Sequence, residues 1–189
     1  MTARLALCIA LLAAPAMAET SAEAVARRPA LFHPETGYRI DRQRSPTPED
    51  VPGGRRISAT QVRDRCEALR IDVFGARQSR YDELDGTWLV GEPRLSLPGA
   101  VWLPEVGRGT LSTEMERYFA DNLERLTGGD RAHPVVFFCV ADCWMSWNAV
   151  RRAAALGYTD LHWFREGTDG WLDEGLDLAP VDPVPMTVE

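Results

Sequence analysis

The chain has 189 residues, of which 45% are hydrophobic, 26% charged and 8% aromatic, the composition of a globular domain with some chain to spare. All 21 basic residues are arginine, and against 28 acidic residues they leave a formal net charge of −7. That balance excludes a general nucleic-acid binder, which needs clustered positive charge against phosphates, and it excludes the polybasic hold on an anionic membrane surface.

Residues 1–18 read as a Sec-type signal peptide: Arg4, an apolar run from Leu5 to Ala14, a break at Pro15, and the small residues around Ala16 and Ala18. The run is about half of the roughly 20 residues needed to span a bilayer. The expectation is a periplasmic protein, exported and not inserted in the membrane after cleavage. Cys8 leaves with the signal, and Cys66, Cys139 and Cys143 remain. An oxidising compartment then allows one internal disulfide and leaves one cysteine over.

Residues 19–56 hold Pro29, Pro34, Pro46, Pro48, Pro52 and the pair Gly53-Gly54, which forbid a long helix. They predict an extended arm lying on the domain, anchored by Phe32 and Tyr38. Residues 57–180 predict an α/β domain. Ser58 and Gln61 form a capping box, and Val62, Cys66 and Leu69 follow on one helical face, which predicts a buried, inert Cys66. Leu69 to Phe74 reads as a short buried strand, Gly75 to Gly91 as a loop, and Leu97 to Leu103 as a turn into a second strand. Thr113 and Glu116 suggest another capping box, opening a helix that Gly128-Gly129 ends. Val135 to Phe138 is continuously apolar, as in a central strand buried on both faces. A helix from about Met145 to Leu156, a strand over Leu161 to Phe164 and a turn at Gly167 to Trp171 follow. A Pro-rich, acidic tail is predicted over 181–189.

Cys139 falls where the central strand gives way to a helix. In open α/β sheets chemistry gathers at that carboxyl end. Backbone amides of Val140 to Trp144, together with the helix dipole, are expected to favour a thiolate on Cys139.

Five pieces, in order, resemble the rhodanese domain family over roughly Ile57 to Leu178: Ile71-Asp72-Val73, Leu97-Pro98-Gly99-Ala100, Val135 to Cys139, Leu156-Gly157-Tyr158, and Glu166 to Trp171. The resemblance implies a five-stranded, mostly parallel sheet flanked by helices, with Cys139 at the nucleophile position. The run Asp142-Cys143-Trp144-Met145-Ser146-Trp147-Asn148-Ala149, with pieces of the arm such as Gly37-Tyr38-Arg39, is similar to a narrower rhodanese-like group. That group is associated with PQQ-dependent catabolism and named for a CxxCW motif; this chain reads CxxxCW from Cys139. The narrower resemblance implies a supporting role beside a periplasmic quinoprotein dehydrogenase or its cytochrome c.

The loop lacks the basic residue with which sulfurtransferases hold an anionic donor, and no arginine closes it to grip phosphate. Arg77 and Arg80, in the long loop after the first strand, are the candidates to replace that cation. Asp142 and Trp144 join them as substrate-contacting candidates, Trp144 as an apolar wall. Cys139 is the expected attacking thiol and Cys143 the resolving one. A permanent structural disulfide is the alternative, although so short a loop gains little chain entropy on closure. Asp72 is a candidate to orient the loop, and Ser146 to donate a hydrogen bond to the Cys139 thiolate. No cofactor is expected, since the covalent-haem motif CxxCH is absent. A third reading is Cu(I) held by the two thiolates, with His33 the histidine free to approach.

Overall fold

The computed structural model describes residues 19–75 and 80–186, with the backbone alone at Arg80. At its centre lies a five-stranded sheet in the order β1 (Arg55–Arg56), β8 (Leu161–Phe164), β7 (Val135–Phe138), β2 (Leu69–Asp72), β6 (Val101–Trp102), every neighbouring pair parallel. This is the α/β arrangement that the sequence predicts. Ile71 pairs with Phe137, and Phe137 with Trp163, so the three central strands run in one register.

β7 shows why its apolar run is continuous. Successive side chains alternate faces. Val135 and Phe137 pack with Ile71, Phe119, Leu123, Ala149 and Trp163 on one side. Val136 and Phe138 pack with Ile57, Val62, Phe164 and Trp171 on the other. Each such side chain contributes about 1.5–3 kcal/mol by leaving water. The first face is covered by α3 (Thr113–Thr127) and α4 (Trp144–Ala155), the second by α2 (Ala59–Asp64) and α5 (Gly167–Asp173). α3 ends where expected, on Gly128 in the left-handed region at φ 63°.

Several local expectations are corrected. α2 stops at Asp64, so Cys66 is not on a helical face at all; it is exposed and free. The N-cap of α3 is Ser112, whose hydroxyl accepts from the Met115 amide, one residue ahead of the expected box at Thr113. The glycine-bearing stretch expected as a turn is the helix α5. The long loop after β2 contains a small hairpin of β3 (Arg80–Tyr81) and β4 (Trp88–Leu89). Chain end and loop also meet: β9 (Ala179–Val181) pairs antiparallel with β5 (Arg94–Ser96), and Met186 is buried beyond it.

The arm opens with α1 (Ser21–Arg27), capped by a Thr20–Glu23 box, and a short 3-10 turn at Pro29–Leu31. Phe32 is buried and Tyr38 half-buried, as expected of its anchors. Its last residues form β1, the edge strand beside β8. Among the described residues no helix is long and apolar enough to cross a membrane; the predicted signal segment, residues 1–18, lies outside them.

Candidate functional site

β7 delivers Cys139 to the carboxyl end of the sheet, and four residues later Cys143 caps α4. The two are joined by a disulfide, with Cα atoms 6.3 Å apart. Cys139 is 0% exposed and Cys143 3%. The loop between them turns through Asp142, which sits in the left-handed region at φ 56°.

Ser146, one turn into α4, sits beside the bond as expected. Its Oγ lies 3.6 Å from Cys139 Sγ, accepts from the Trp163 indole at 3.0 Å and donates to the Cys143 carbonyl at 3.1 Å. The indole fixes the oxygen, leaving the hydroxyl proton a choice between a carbonyl and the sulfur. A Cys139 thiolate would draw that proton, a charge-assisted hydrogen bond being the stronger.

The loop amides do not all face the sulfur. The Ala141 amide donates to the Asp169 carboxylate at 3.0 Å, and the Trp144 amide to the Gln43 carbonyl at 2.8 Å. α5 can approach the loop because residue 167 is glycine: a Cβ there would stand 2.3 Å from the Cys139 carbonyl oxygen. That oxygen instead accepts from the Thr168 amide at 2.9 Å.

Asp142 and Trp144, candidates for substrate contact, are engaged by the chain's own arm. The Asp142 carbonyl accepts from the Ser45 amide at 2.9 Å, and its carboxylate from the Thr47 amide at 3.3 Å. The Trp144 indole donates to Ser45 Oγ at 3.0 Å and to the Ser45 carbonyl at 3.1 Å. Arg39 lies 4.6 Å above the Trp144 ring and 5.0 Å from that of Phe32. Burial pushes its guanidinium down to about 10, still protonated at neutral pH.

Asp72 does not reach the loop. It is buried at the end of β2, where one oxygen accepts from the Phe74 amide at 2.9 Å. The other accepts from Arg94 Nε at 2.9 Å and Ser96 Oγ at 2.6 Å. Burial pushes the Asp72 carboxyl up, against the opposing pull of Arg94 and these donors. Arg94 is the cation that sequence reasoning missed. It packs 4.5 Å from the Phe74 ring and lines a cleft of about 760 Å³ with Val140, Thr168 and Asp169. Arg77 lies outside the described residues, and Arg80 is placed on β3 by its backbone. Arg44 comes from the arm to pair with Asp169 at 3.3 Å, so a basic residue does stand over the loop.

Among the described residues no group of three His, Cys, Asp or Glu side chains is placed to hold a metal ion. The His33 ring accepts from the amides of Glu35 and Thr36 within the arm.

No protein-family model matches the chain, and no curated protein does. Solved structures do resemble it. A thiosulfate sulfurtransferase from Pseudomonas aeruginosa is 21% identical, with a TM-score of 0.45, over 67% of this chain and 20% of its own. A rhodanese-like domain from Anabaena is 13% identical, with a TM-score of 0.42, over 66% of this chain and 77% of its own. A 3-mercaptopyruvate sulfotransferase from Escherichia coli is 16% identical, with a TM-score of 0.43, over 71% of this chain and 54% of its own.

Proposed function

We propose that this is an exported rhodanese-like protein whose working centre is the Cys139–Cys143 pair, carrying thiol–disulfide or persulfide chemistry in support of PQQ-dependent catabolism. The observation that carries the reading is the bond between the two sulfurs at the carboxyl end of β7, with the Ser146 hydroxyl beside Cys139. In the reduced protein the Cys139 thiolate attacks the sulfane sulfur of a donor; the donor's bond to that sulfur breaks, its electron pair leaves with the rest of the donor, and Cys139 becomes a persulfide. The Cys143 thiolate then attacks the inner sulfur, forming the disulfide and releasing hydrosulfide. A dithiol reductant restores both thiols. Arg44 supplies a positive charge near the loop, paired with Asp169. A periplasmic quinoprotein dehydrogenase or its cytochrome c is the partner this reading calls for.

A second reading is favoured by the depth of the bond: with Cys139 fully buried, the disulfide serves as a staple in a non-enzymatic accessory protein. Intact-mass spectrometry separates the two. Under the first, in a Cys66→Ser background that removes the exposed thiol, incubation with a sulfur donor adds 32 Da, one sulfur atom, to reduced Cys143→Ser and nothing to Cys139→Ser. A disulfide that no physiological thiol reduces, with full biological activity in both variants, would leave only the staple.

A further inference from the structure

In the run from Cys143 to Asn148, Trp144, Trp147 and Asn148 turn polar groups onto the arm, not into an open site. Buried Asn148 accepts from the Arg39 amide and donates to the Arg39 carbonyl, both at 2.9 Å, gripping one arm residue by both backbone groups. The Trp147 indole donates to Ser21 Oγ and the Asp50 carbonyl, each at 3.2 Å. Arg165, just past β8, holds Thr47 through its hydroxyl at 2.8 Å and its carbonyl at 3.0 Å. The arm is therefore fixed on both sides of residues 43–46.

Residues 43–46 themselves are attached differently. Arg44 stands opposite Cys143 in an antiparallel bridge, flanked by Trp144 N–H to the Gln43 carbonyl and Ser45 N–H to the Asp142 carbonyl. This is strand pairing along the loop edge, the mode by which protein domains accept an extended peptide. None of the four side chains is buried, and the Arg44–Asp169 pair is largely exposed at 68% and 42%. A segment with few buried contacts opens at lower cost than the anchors around it.

We propose that residues 43–46 are a lid: they occupy a peptide-binding edge of the cysteine loop and must lift before a thiol reaches the Cys139–Cys143 bond. The lid takes its purpose from the thiol chemistry proposed above, and its geometry stands apart from it. The reductant is a dithiol. Once the strap lifts, one thiolate of the reductant attacks Sγ of Cys143, the less deeply buried residue of the two. The S–S bond breaks and its electron pair stays on Cys139, where the Ser146 hydroxyl meets the new thiolate. The second thiol of the reductant, deprotonated, attacks the mixed disulfide and leaves as a cyclic or protein disulfide, releasing the Cys143 thiolate. Two electrons and two protons pass from dithiol to protein, the protons distributed by solvent. Anchored at both ends, the strap admits a slender extended segment bearing the attacking cysteine more readily than a bulky surface.

The test is the rate of reduction of the oxidised full chain by excess dithiothreitol, quenched with N-ethylmaleimide and read as alkylated cysteines by mass. Ser45→Pro removes the amide that bonds Asp142 and is expected to raise the second-order rate at least tenfold. Ser45→Ala keeps the amide and loses the hydroxyl that meets the Trp144 indole; it is expected to raise the rate about threefold, and stands in if the proline variant fails to fold. Val62→Ala weakens the core on the opposite face of the sheet and is expected to stay within twofold of the parent. Equal rates in the parent and the folded Ser45 variants overturn the lid. So does a Val62→Ala acceleration as large as theirs, because reduction then follows general unfolding. Equilibrium in a physiological thiol buffer is a separate readout: a pair that stays oxidised there strikes the proposed chemistry, while the ratio of rates still decides the lid.

Discussion

Asp72 and Asp142 stand near each other in the plan of the fold, one at the end of β2 and one just past the end of β7, yet they hold unlike things. Asp72 is buried and grips side chains, with Arg94 and Ser96 on one oxygen. Asp142 grips main chain, taking the Ser45 amide on its carbonyl and the Thr47 amide on its carboxylate. A buried charge cannot release its partner without leaving an uncompensated ion. A carbonyl that accepts one amide at the surface can exchange it for water or for another strand. One end of the sheet thus carries a permanent tie and a replaceable one side by side, and the disulfide lies beside the replaceable tie.

The sharpest way to break this contrast is to cut each tie. Asp72→Ala leaves Arg94 without its counter-ion and is expected to cost about 3–5 kcal/mol in urea unfolding. Replacing both, as Asp72→Leu with Arg94→Met, should recover most of that loss, since the penalty belongs to the unpaired charge and not to the absence of a pair. If the double variant is as unstable as the single one, Asp72 acts through something other than Arg94. On the arm side, Asn148→Ala strips the side-chain partner from the Arg39 amide and from the Gly107 carbonyl, and leaves the Arg39 carbonyl with the Gln43 side-chain amide. It is expected to cost about 2–3 kcal/mol, from unsatisfied buried groups of about 1–3 kcal/mol each, partly relieved by water.

Titration tests the Asp72 tie separately. Because burial raises the Asp72 carboxyl above its unfolded value, the folded state binds that proton more tightly than the unfolded chain does. Its contribution to stability is full below the unfolded value of about 3.9 and is lost as pH rises through the raised folded value. Subtracting the stability of Asp72→Asn from that of the parent, across pH 3 to 7, should give a difference that declines with rising pH; a rising difference would reverse the assignment. The smallest effect is expected from Asp142→Gly. Glycine adopts the left-handed turn at φ 56° without strain and keeps the carbonyl that Ser45 uses. The loss of the Thr47 contact is offset, and thermal unfolding should move by less than the equivalent of about 1 kcal/mol.

The sequence was most readable where one physical rule acted alone. Val135 to Phe138 could be little else than a strand buried on both faces, and Cys139 followed from its end. Gly128 closed α3 where its backbone freedom predicts. Reading failed where two rules competed. The spacing of Val62, Cys66 and Leu69 means a shared face only while the helix continues, and α2 ends at Asp64 before Cys66 is reached. Gly167 and Gly170 suggested a turn, but Gly167 is there for the close passage of α5 over the Cys139 carbonyl. At the site, Ser146 could be placed because it is one turn from Cys143 on the same helix. Arg94 could not, since its partner is 22 residues away on another strand and no local pattern joins them. The grip of Asn148 on Arg39 spans 109 residues and runs through backbone atoms, which carry no residue-specific signal.

The third cysteine has a practical side. Cys66 is free at the surface, on a part of the chain that takes no part in the pair. Of Cys66, Cys139 and Cys143, a thiol reagent added in denaturant should therefore find one free thiol when the protein is oxidised and three when it is reduced. Cys66 is a constant background against which the state of the other two can be counted. It is also a handle for a label that reports on the molecule without touching its sulfur chemistry.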